Sequence, residues 1–104
     1  MHYDLIIVTE TKPDNIDINH LWVNKALVFN NYIITKESKY TYDYLIIDKL
    51  YNELILLTED GLIITNQFFQ TTNEYIYAVG KAVNSNMDFN QQIQTVIENI
   101  KEPF

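Results

Sequence analysis

Short, continuous apolar runs are the feature that most constrains the fold of this chain. Three of these runs are Leu5-Ile6-Ile7-Val8 within residues 3–9, Leu45-Ile46-Ile47 before Asp48, and residues 75–79 before Gly80. Runs of this length, rich in β-branched residues, are typical of strands that are buried on both faces of a parallel sheet. They are also too short to span a bilayer. We therefore predict a sheet in which residues 3–9 form a central strand, beside the strands that end at Asp48 and Val79.

The remaining segments predict shorter elements. Two β runs flank Asn30-Asn31, which indicates a hairpin because Asn tolerates positive φ. Residues 54–57 and 62–65 flank the turn dipeptide Asp60-Gly61, which predicts a strand on each side of a turn. Residues 16–24 are mixed, and the spacing of Ile18, Leu21 and Trp22 favours an amphipathic turn or short helix.

One helix is predicted, over residues 87–100. Its apolar positions recur at helical spacing: Phe89, Ile93, Val96, Ile97 and Ile100. Ser85 and Asp88 resemble a capping box, and Pro103 is expected to end the helix. The predicted fold is therefore a single α/β (or α+β) domain over residues 1–104, with a small mixed sheet, a β-rich order and one C-terminal helix.

Composition excludes several classes of function. The 104 residues carry 14 acidic and 7 basic side chains, for a net charge of -7, which argues against binding nucleic acid. The absence of Cys excludes disulfide scaffolds, zinc ribbons and thiol redox centres. The N-terminus has no basic start followed by a long apolar stretch, so no secretory signal is predicted and a cytoplasmic location is expected. The only glycines, Gly61 and Gly80, are too few for a phosphate-cradling loop.

Residues 42–100 resemble the closing FAD-binding segment of the thioredoxin-reductase-like (pyridine nucleotide-disulfide oxidoreductase) family. The matching motifs follow one another in the family's order: Asp60-Gly61-Leu62-Ile63-Ile64-Thr65, Thr71-Thr72 and Tyr75-Ile76-Tyr77-Ala78-Val79-Gly80. Residues 42–48 resemble the strand that precedes this segment in the family. Residues 3–8 resemble the opening strand of the same FAD fold. The resemblance implies a truncated and degenerate relative of an FAD/NAD(P)-binding domain.

The departures from the family pattern predict loss of the cofactor. After Val8 the family has a glycine-rich turn that holds the pyrophosphate, whereas this chain has no glycine there and places Glu10 beside the phosphates. After Gly80 the family has an aspartate that bonds the ribityl chain, whereas this chain has Lys81. Gly80 and Lys81 are therefore read as remnants of a flavin site. The redox C-x-x-C is absent. We expect no cofactor, no FAD or NADPH binding and no enzyme activity.

Three other clusters have both a functional and a structural interpretation. Asp14, Asp17 and His20 have a weak metal-ligand spacing, and a solvated loop is favoured, so no metal is predicted. The acids Glu53, Glu59 and Asp60 have no matching base or nucleophile and are read as solvated. The stripe Tyr40, Tyr42 and Tyr44 lies on one face of a strand, where core packing is favoured and a binding surface is the alternative.

Three functions are compatible with these observations. The favoured one is a non-catalytic interaction or regulatory protein. The others are a small-molecule or nucleotide binder with a remodelled pocket, and a flavoprotein fragment that needs a partner chain. A homodimer or a protein partner is expected. A parallel sheet needs cover on both faces, and because the sequence predicts only one helix, the second face is covered by residues 16–22, by the hairpin of residues 32–44 or by another chain. The aromatic content of 13% also favours an interface.

Overall fold

A computed structural model describes residues 1–102 of the chain. Eight strands, a short 3₁₀ helix and one α-helix follow one another along it. In chain order they are β1 (His2–Val8), β2 (His20–Val23), β3 (Leu27–Phe29), β4 (Tyr32–Ile34), β5 (Lys39–Ile47), β6 (Thr58–Glu59), β7 (Leu62–Ile63), β8 (Ile76–Ala78), the 3₁₀ helix Gly80–Ala82 and α1 (Phe89–Lys101). In the described residues, no helix has the length and apolar character needed to cross a membrane.

Six of the strands form one mixed sheet. β1 pairs in parallel with β2 on one side and with β5 on the other. β5 has two partners on its far side: its first residues pair antiparallel with β4, and its last residues pair in parallel with β8. β3 extends the sheet beyond β4, while β6 and β7 form a separate two-stranded ribbon. The predicted fold class, a small mixed sheet with one C-terminal helix, is confirmed.

The position of β8 differs from the prediction. β8 pairs with β5 in the register Leu45 with Ile76 and Ile47 with Ala78, so one strand separates it from β1. The expectation that residues 3–9 lie beside residues 75–79 is wrong, and the sheet-neighbour argument drawn from the family resemblance fails with it. The long strand β5 accepts partners along both of its edges, which a pattern of apolar runs does not reveal. The prediction that β1 is an interior strand beside β5 is confirmed.

Two segments adopt structures other than those predicted. Residues 16–19 are loop and His20–Val23 is strand β2, so the expected turn of helix is wrong. Pairing with β1 satisfies the backbone of β2, whereas a single helical turn carries the full cost of nucleation. Residues 54–57 are not a regular strand, and the predicted strand over residues 62–65 shortens to Leu62–Ile63.

Both predicted turns are present. Asn31 has a φ of 75° between β3 and β4, and Tyr42 holds this turn by donating its hydroxyl hydrogen to the carbonyl of Phe29 at 2.8 Å. In the ribbon, Asp60 and Gly61 have φ values of 54° and 82°. Two successive positive φ values match the twist of a two-residue hairpin, which explains the Asp-Gly dipeptide.

The predicted C-terminal helix is confirmed, and its N-terminus is capped by Asp88. The Asp88 carboxylate accepts a hydrogen bond from the backbone of Asn90 at 2.9 Å, and Gln91 completes the capping box. Ser85, which was expected to take part, instead accepts from the backbone of Met87. On the predicted apolar face, Ile93, Val96 and Ile97 are buried, and Phe89 and Ile100 are partly buried. Pro103 lies outside the described residues.

The chain covers both faces of its central strands by itself. Leu5–Val8 and Leu45–Ile47 have no solvent-exposed area in the isolated chain. The long connection from β5 to β8 contributes buried side chains to the core without forming a helix, among them Leu54, Ile63 and Phe69. Cover by other segments of the same chain, which the sequence left open beside cover by a second chain, is therefore sufficient for these strands. Any association has to use surface that lies outside this core.

Candidate functional site

The carboxyl ends of the four parallel strands meet at one edge of the sheet. From β1 the chain moves to β2 on one side, and from β5 it moves to β8 on the other, so the strand order reverses between β1 and β5. Open parallel sheets bind ligands at such reversal points. A cavity of about 470 Å³ lies there, which we call the carboxyl-edge pocket. It is lined by Glu10, Asn24, Asp48, Lys49, Leu50, Tyr51, Gly61, Lys81 and Ala82.

A hydrogen bond across the reversal point joins the ends of β1 and β5. The backbone N–H of Glu10 donates to Oδ2 of Asp48 at 2.8 Å. Next to it, the indole N–H of Trp22 donates to Oγ1 of Thr9 at 3.1 Å, and the Thr9 hydroxyl donates to the carbonyl of Thr11. The Glu10 amide and the Thr9 hydroxyl, which follow β1, therefore donate to other groups of the chain and are not free to bind a ligand.

Gly80 and Lys81, which the family resemblance predicts to be remnants of a flavin site, lie at the carboxyl end of β8, and Lys81 lines the same pocket. Gly80 has a φ of 64°, and its N–H donates to Oε1 of Gln92 at 2.6 Å. The ammonium of Lys81 is 3.8 Å from Oε2 of Glu10, and both side chains are exposed. A solvated pair of this kind contributes little to stability. The structure thus brings together Lys81 and Glu10, the two residues on which the sequence departs most clearly from the family pattern.

Tyr51 is the titratable group of the pocket with the largest pKa shift. Burial, followed by the negative charge of Asp48, raises its pKa to about 12. The ammonium of Lys49 lies 5.2 Å from the ring centre of Tyr51, at cation–π distance. The phenol therefore stays protonated near neutral pH, where it can donate a hydrogen bond but cannot act as a base.

The residues of this pocket do not fit a dinucleotide or flavin pyrophosphate. β1 is followed by a loop that enters β2 and not by a helix, so β1 does not lead into the helix N-terminus that holds the pyrophosphate in dinucleotide-binding folds. The Glu10 amide already donates to Asp48. The pocket combines the carboxylates of Glu10 and Asp48 with the ammonium groups of Lys49 and Lys81 and has no net positive charge. No chemical step through a flavin follows from this geometry.

The tyrosine stripe divides between core and surface. Tyr42 is buried, and its hydroxyl oxygen also accepts a hydrogen bond from the backbone of Asn31 at 3.1 Å. Tyr40 is half-buried with its ring 6.0 Å from that of Tyr3, and Tyr44 is half-buried beside Tyr77. Tyr42 therefore has a structural role, whereas Tyr40 and Tyr44 keep exposed ring area and stay predicted interface residues.

The side chains of Asp14, Asp17 and His20, the weak metal-ligand candidates of the sequence, each have a partner elsewhere in the chain. Asp17 pairs with Lys101 at 2.6 Å, and the hydrogen bond from that ammonium lowers the pKa of the carboxyl. The His20 ring bonds the carbonyl of Ile18, and the Asp14 carboxylate accepts from the Asn90 side chain. The other acidic set, Glu53, Glu59 and Asp60, is exposed, as its solvated reading predicts.

A different titratable cluster is formed by residues that the sequence alone does not bring together. Ligand atoms of His2, Asp4 and Asp43 lie within 4.8 Å of one another on the exposed ends of β1 and β5. His2 contacts Thr41 at 2.7 Å through Nδ1 and Asp43 at 3.1 Å through Nε2. The alternation of His2 and Asp4 along one strand was readable, but Asp43 joins them only through the parallel register. The His2–Asp43 pair accounts for this arrangement without a metal ion.

Comparisons with family models and with curated proteins add no relative. No family model matches the sequence, and no curated protein is similar enough to it to establish common descent. The carboxyl-edge pocket and the exposed surface therefore have to be interpreted from their own chemistry.

Proposed function

We propose that this protein is a non-catalytic interaction or regulatory protein that acts in the cytoplasm. The observation that carries the proposal is the hydrogen bond from the Glu10 amide to the Asp48 carboxylate. At the point of the sheet where an open α/β fold binds a phosphate, this chain places two carboxylates and uses its own amide internally.

The hydrogen bond between Glu10 and Asp48 makes nucleotide binding at this edge unfavourable. A phosphate at this position would have to displace the bond between Glu10 and Asp48 and would then face both negative charges. Breaking a hydrogen bond to a charged group costs about 1.5–3 kcal/mol. The loss of this one bond corresponds to roughly tenfold to a hundredfold in affinity, because every 1.4 kcal/mol is about tenfold, and repulsion by the two carboxylates weakens binding further. The central strands are buried within the chain, so loss of a nucleotide does not require loss of the fold.

A second candidate function rests on the carboxyl-edge pocket itself. Its volume of about 470 Å³ lies within the range of about 300–1,000 Å³ that small-molecule sites occupy. Lys49, Lys81 and the protonated Tyr51 supply hydrogen-bond donors, and Glu10 and Asp48 supply acceptors. This mixture suits a small polar ligand that carries both signs of charge. The third candidate, a flavoprotein fragment, would need a partner chain to supply the missing half of its site.

Titration of FAD and of NADPH into the purified protein tests the proposal directly. We expect no copurified yellow chromophore and no saturable change in flavin fluorescence at micromolar concentration. Saturable binding or a bound flavin would overturn the proposal in favour of the flavoprotein fragment. A flavoprotein of the thioredoxin-reductase-like family serves as the positive control for both measurements.

Two further measurements separate the remaining candidates. A melting-temperature shift with small zwitterionic ligands, lost in Lys81→Ala, would favour the small-molecule binder, because a ligand that binds the native state stabilises it. Affinity capture from native extract, combined with the solution mass, tests the interaction role. A protein that captures no partner and stays monomeric at high micromolar concentration would contradict it.

A further inference from the structure

The outer face of the β3–β4 hairpin, continued by β5, carries exposed apolar side chains. Leu27 and Ile34 are register partners and are 62% and 37% exposed. Beside them, the rings of Phe29 and Tyr32 stack with their centres 4.9 Å apart. Lys39 is the register partner of Ile34, so it lies on the same face. We call these five residues the hairpin face.

The surroundings of the hairpin face are basic. Residues 21–41 contain three lysines, at positions 25, 36 and 39, and one acid, Glu37. Lys25 and Lys36 line one cavity together with Leu27. The ammonium of Lys39 lies 4.4 Å from the ring centre of Tyr32. In a chain with a net charge of -7, this region carries a net charge of +2.

A second apolar surface lies on the ribbon and the residues that lead into it. Ile55 is 93% exposed, Leu57 62% and Ile64 43%. The backbone N–H of Ile64 donates to the carbonyl of Leu57 at 3.0 Å, which places these two residues opposite each other. Exposure alternates along residues 54–57, so Ile55 and Leu57 point away from the buried Leu54. We call Ile55, Leu57 and Ile64 the ribbon face.

The sequence around the ribbon face is acidic, although Lys49 and Lys81 border the Gly61 turn of the ribbon. No Lys or Arg occurs between Leu50 and Gly80, whereas four acids do, at positions 53, 59, 60 and 74. Glu59 and Asp60 line one cavity together with Ile64. The hairpin face and the ribbon face therefore lie in regions of opposite net charge.

We propose that the hairpin face of one molecule docks on the ribbon face of a second copy of this chain, which deepens the interaction role proposed above and rests on it. Burial of the apolar side chains drives the contact, and the lysines of one copy meet the acids of the next. Pairing either face with itself would bring like charges together, so a contact between unlike faces is favoured. Such a head-to-tail contact leaves one free face at each end of the pair and can therefore add further copies.

Two variants, each with one face disabled, test the arrangement. Leu27→Glu places an acid in the basic hairpin face, and Ile55→Lys places a base in the acidic ribbon face. Both residues are exposed and lie outside the core, so the variants are expected to fold, as circular dichroism and thermal melting will show. Ile34→Glu and Leu57→Lys provide a second pair with the same logic. The readout is the solution mass by sedimentation velocity, as a function of concentration.

We expect the wild-type chain to associate with rising concentration and each variant alone to associate at least tenfold more weakly. An equimolar mixture of Leu27→Glu and Ile55→Lys should form pairs that stop at two chains. Each such pair uses the intact ribbon face of the first variant and the intact hairpin face of the second. Met87→Glu, at an exposed residue outside both faces and outside the carboxyl-edge pocket, should associate like the wild-type chain.

Three results would overturn this docking. These are a wild-type chain that stays monomeric, single variants that associate as the wild type does, and a mixture of the two variants that stays monomeric. None of them removes the broader interaction role, which fails only if capture also finds no other protein bound. A flavin titration that saturates would remove the broader role while leaving the mass measurements interpretable.

Discussion

Replacing Tyr77 by Phe removes one hydroxyl group from the contact between the sheet and the helix. Tyr77 in β8 and Asn99 in α1 are both buried, and the Tyr77 hydroxyl donates to Oδ1 of Asn99 at 2.6 Å. Phe at position 77 keeps the ring and its packing but leaves the Asn99 carbonyl oxygen buried and without its donor. The variant therefore isolates the cost of one unpaired polar group.

The magnitude follows from the asymmetry of buried hydrogen bonds. Leaving a buried acceptor unpaired costs about 1–3 kcal/mol, whereas removing both partners is nearly neutral apart from the lost packing. We expect Tyr77→Phe to lower the free energy of unfolding by about 1–3 kcal/mol. Asn99→Ala should cost a similar amount, because it leaves the tyrosine hydroxyl unpaired. The double variant should cost less than the sum of the two, by about 1 kcal/mol or more.

Urea unfolding followed by circular dichroism measures the four free energies of this double-mutant cycle. Tyr44→Phe is the matched control, because the Tyr44 ring lies 6.3 Å from that of Tyr77 while its hydroxyl makes no hydrogen bond within residues 1–102. It should change stability by less than about 0.5 kcal/mol. A double variant whose cost equals the sum of the two single costs to within about 0.3–0.5 kcal/mol would refute the reasoning, because independent sites are additive in that way.

Three other predictions concern the backbone, the helix cap and the alkaline limit of stability. Gly80→Ala should lower the free energy of unfolding by about 1–2 kcal/mol, because Gly80 has a φ of 64° although a Cβ would make only ordinary contacts; an unchanged urea midpoint would contradict this. Asp88→Ala should cost about 0.5–2 kcal/mol in the same assay, through loss of the bond from the Asn90 amide, and Asp88→Asn should restore most of it. Burial raises the pKa values of Tyr51 and Tyr77 to about 12, so the folded state binds these protons more tightly than the unfolded state does. Their contribution to stability should therefore be constant below about pH 10 and be lost from about pH 10 to pH 12, so stability falls over that range and falls less in Tyr77→Phe; a flat profile there would contradict the two pKa shifts.

The sequence determined the elements whose signals are local. The helix followed from apolar spacing on one face and from Asp88 before its first turn, because a helix satisfies its own backbone and reveals its buried side every three to four residues. Both hairpin turns followed from residues that tolerate positive φ, Asn31 and Asp60-Gly61. The buried strands Leu5–Val8 and Leu45–Ile47 followed from continuous apolar runs. Each of these signals lies within a dozen residues of chain.

Pairing between distant segments was decided only by the tertiary structure. β5 accepts β4 along its first half and β8 along its second, which separates β8 from β1, and no local pattern records the partner of a strand edge. Pairing with β1 likewise makes residues 20–23 a strand, because hydrogen bonds to β1 stabilise this segment more than a single turn of helix would. The bond from the Glu10 amide to Asp48 crosses 38 positions of sequence. Such contacts depend on register and on chain reversal, so the chemistry of the carboxyl edge became visible only once the sheet was assembled.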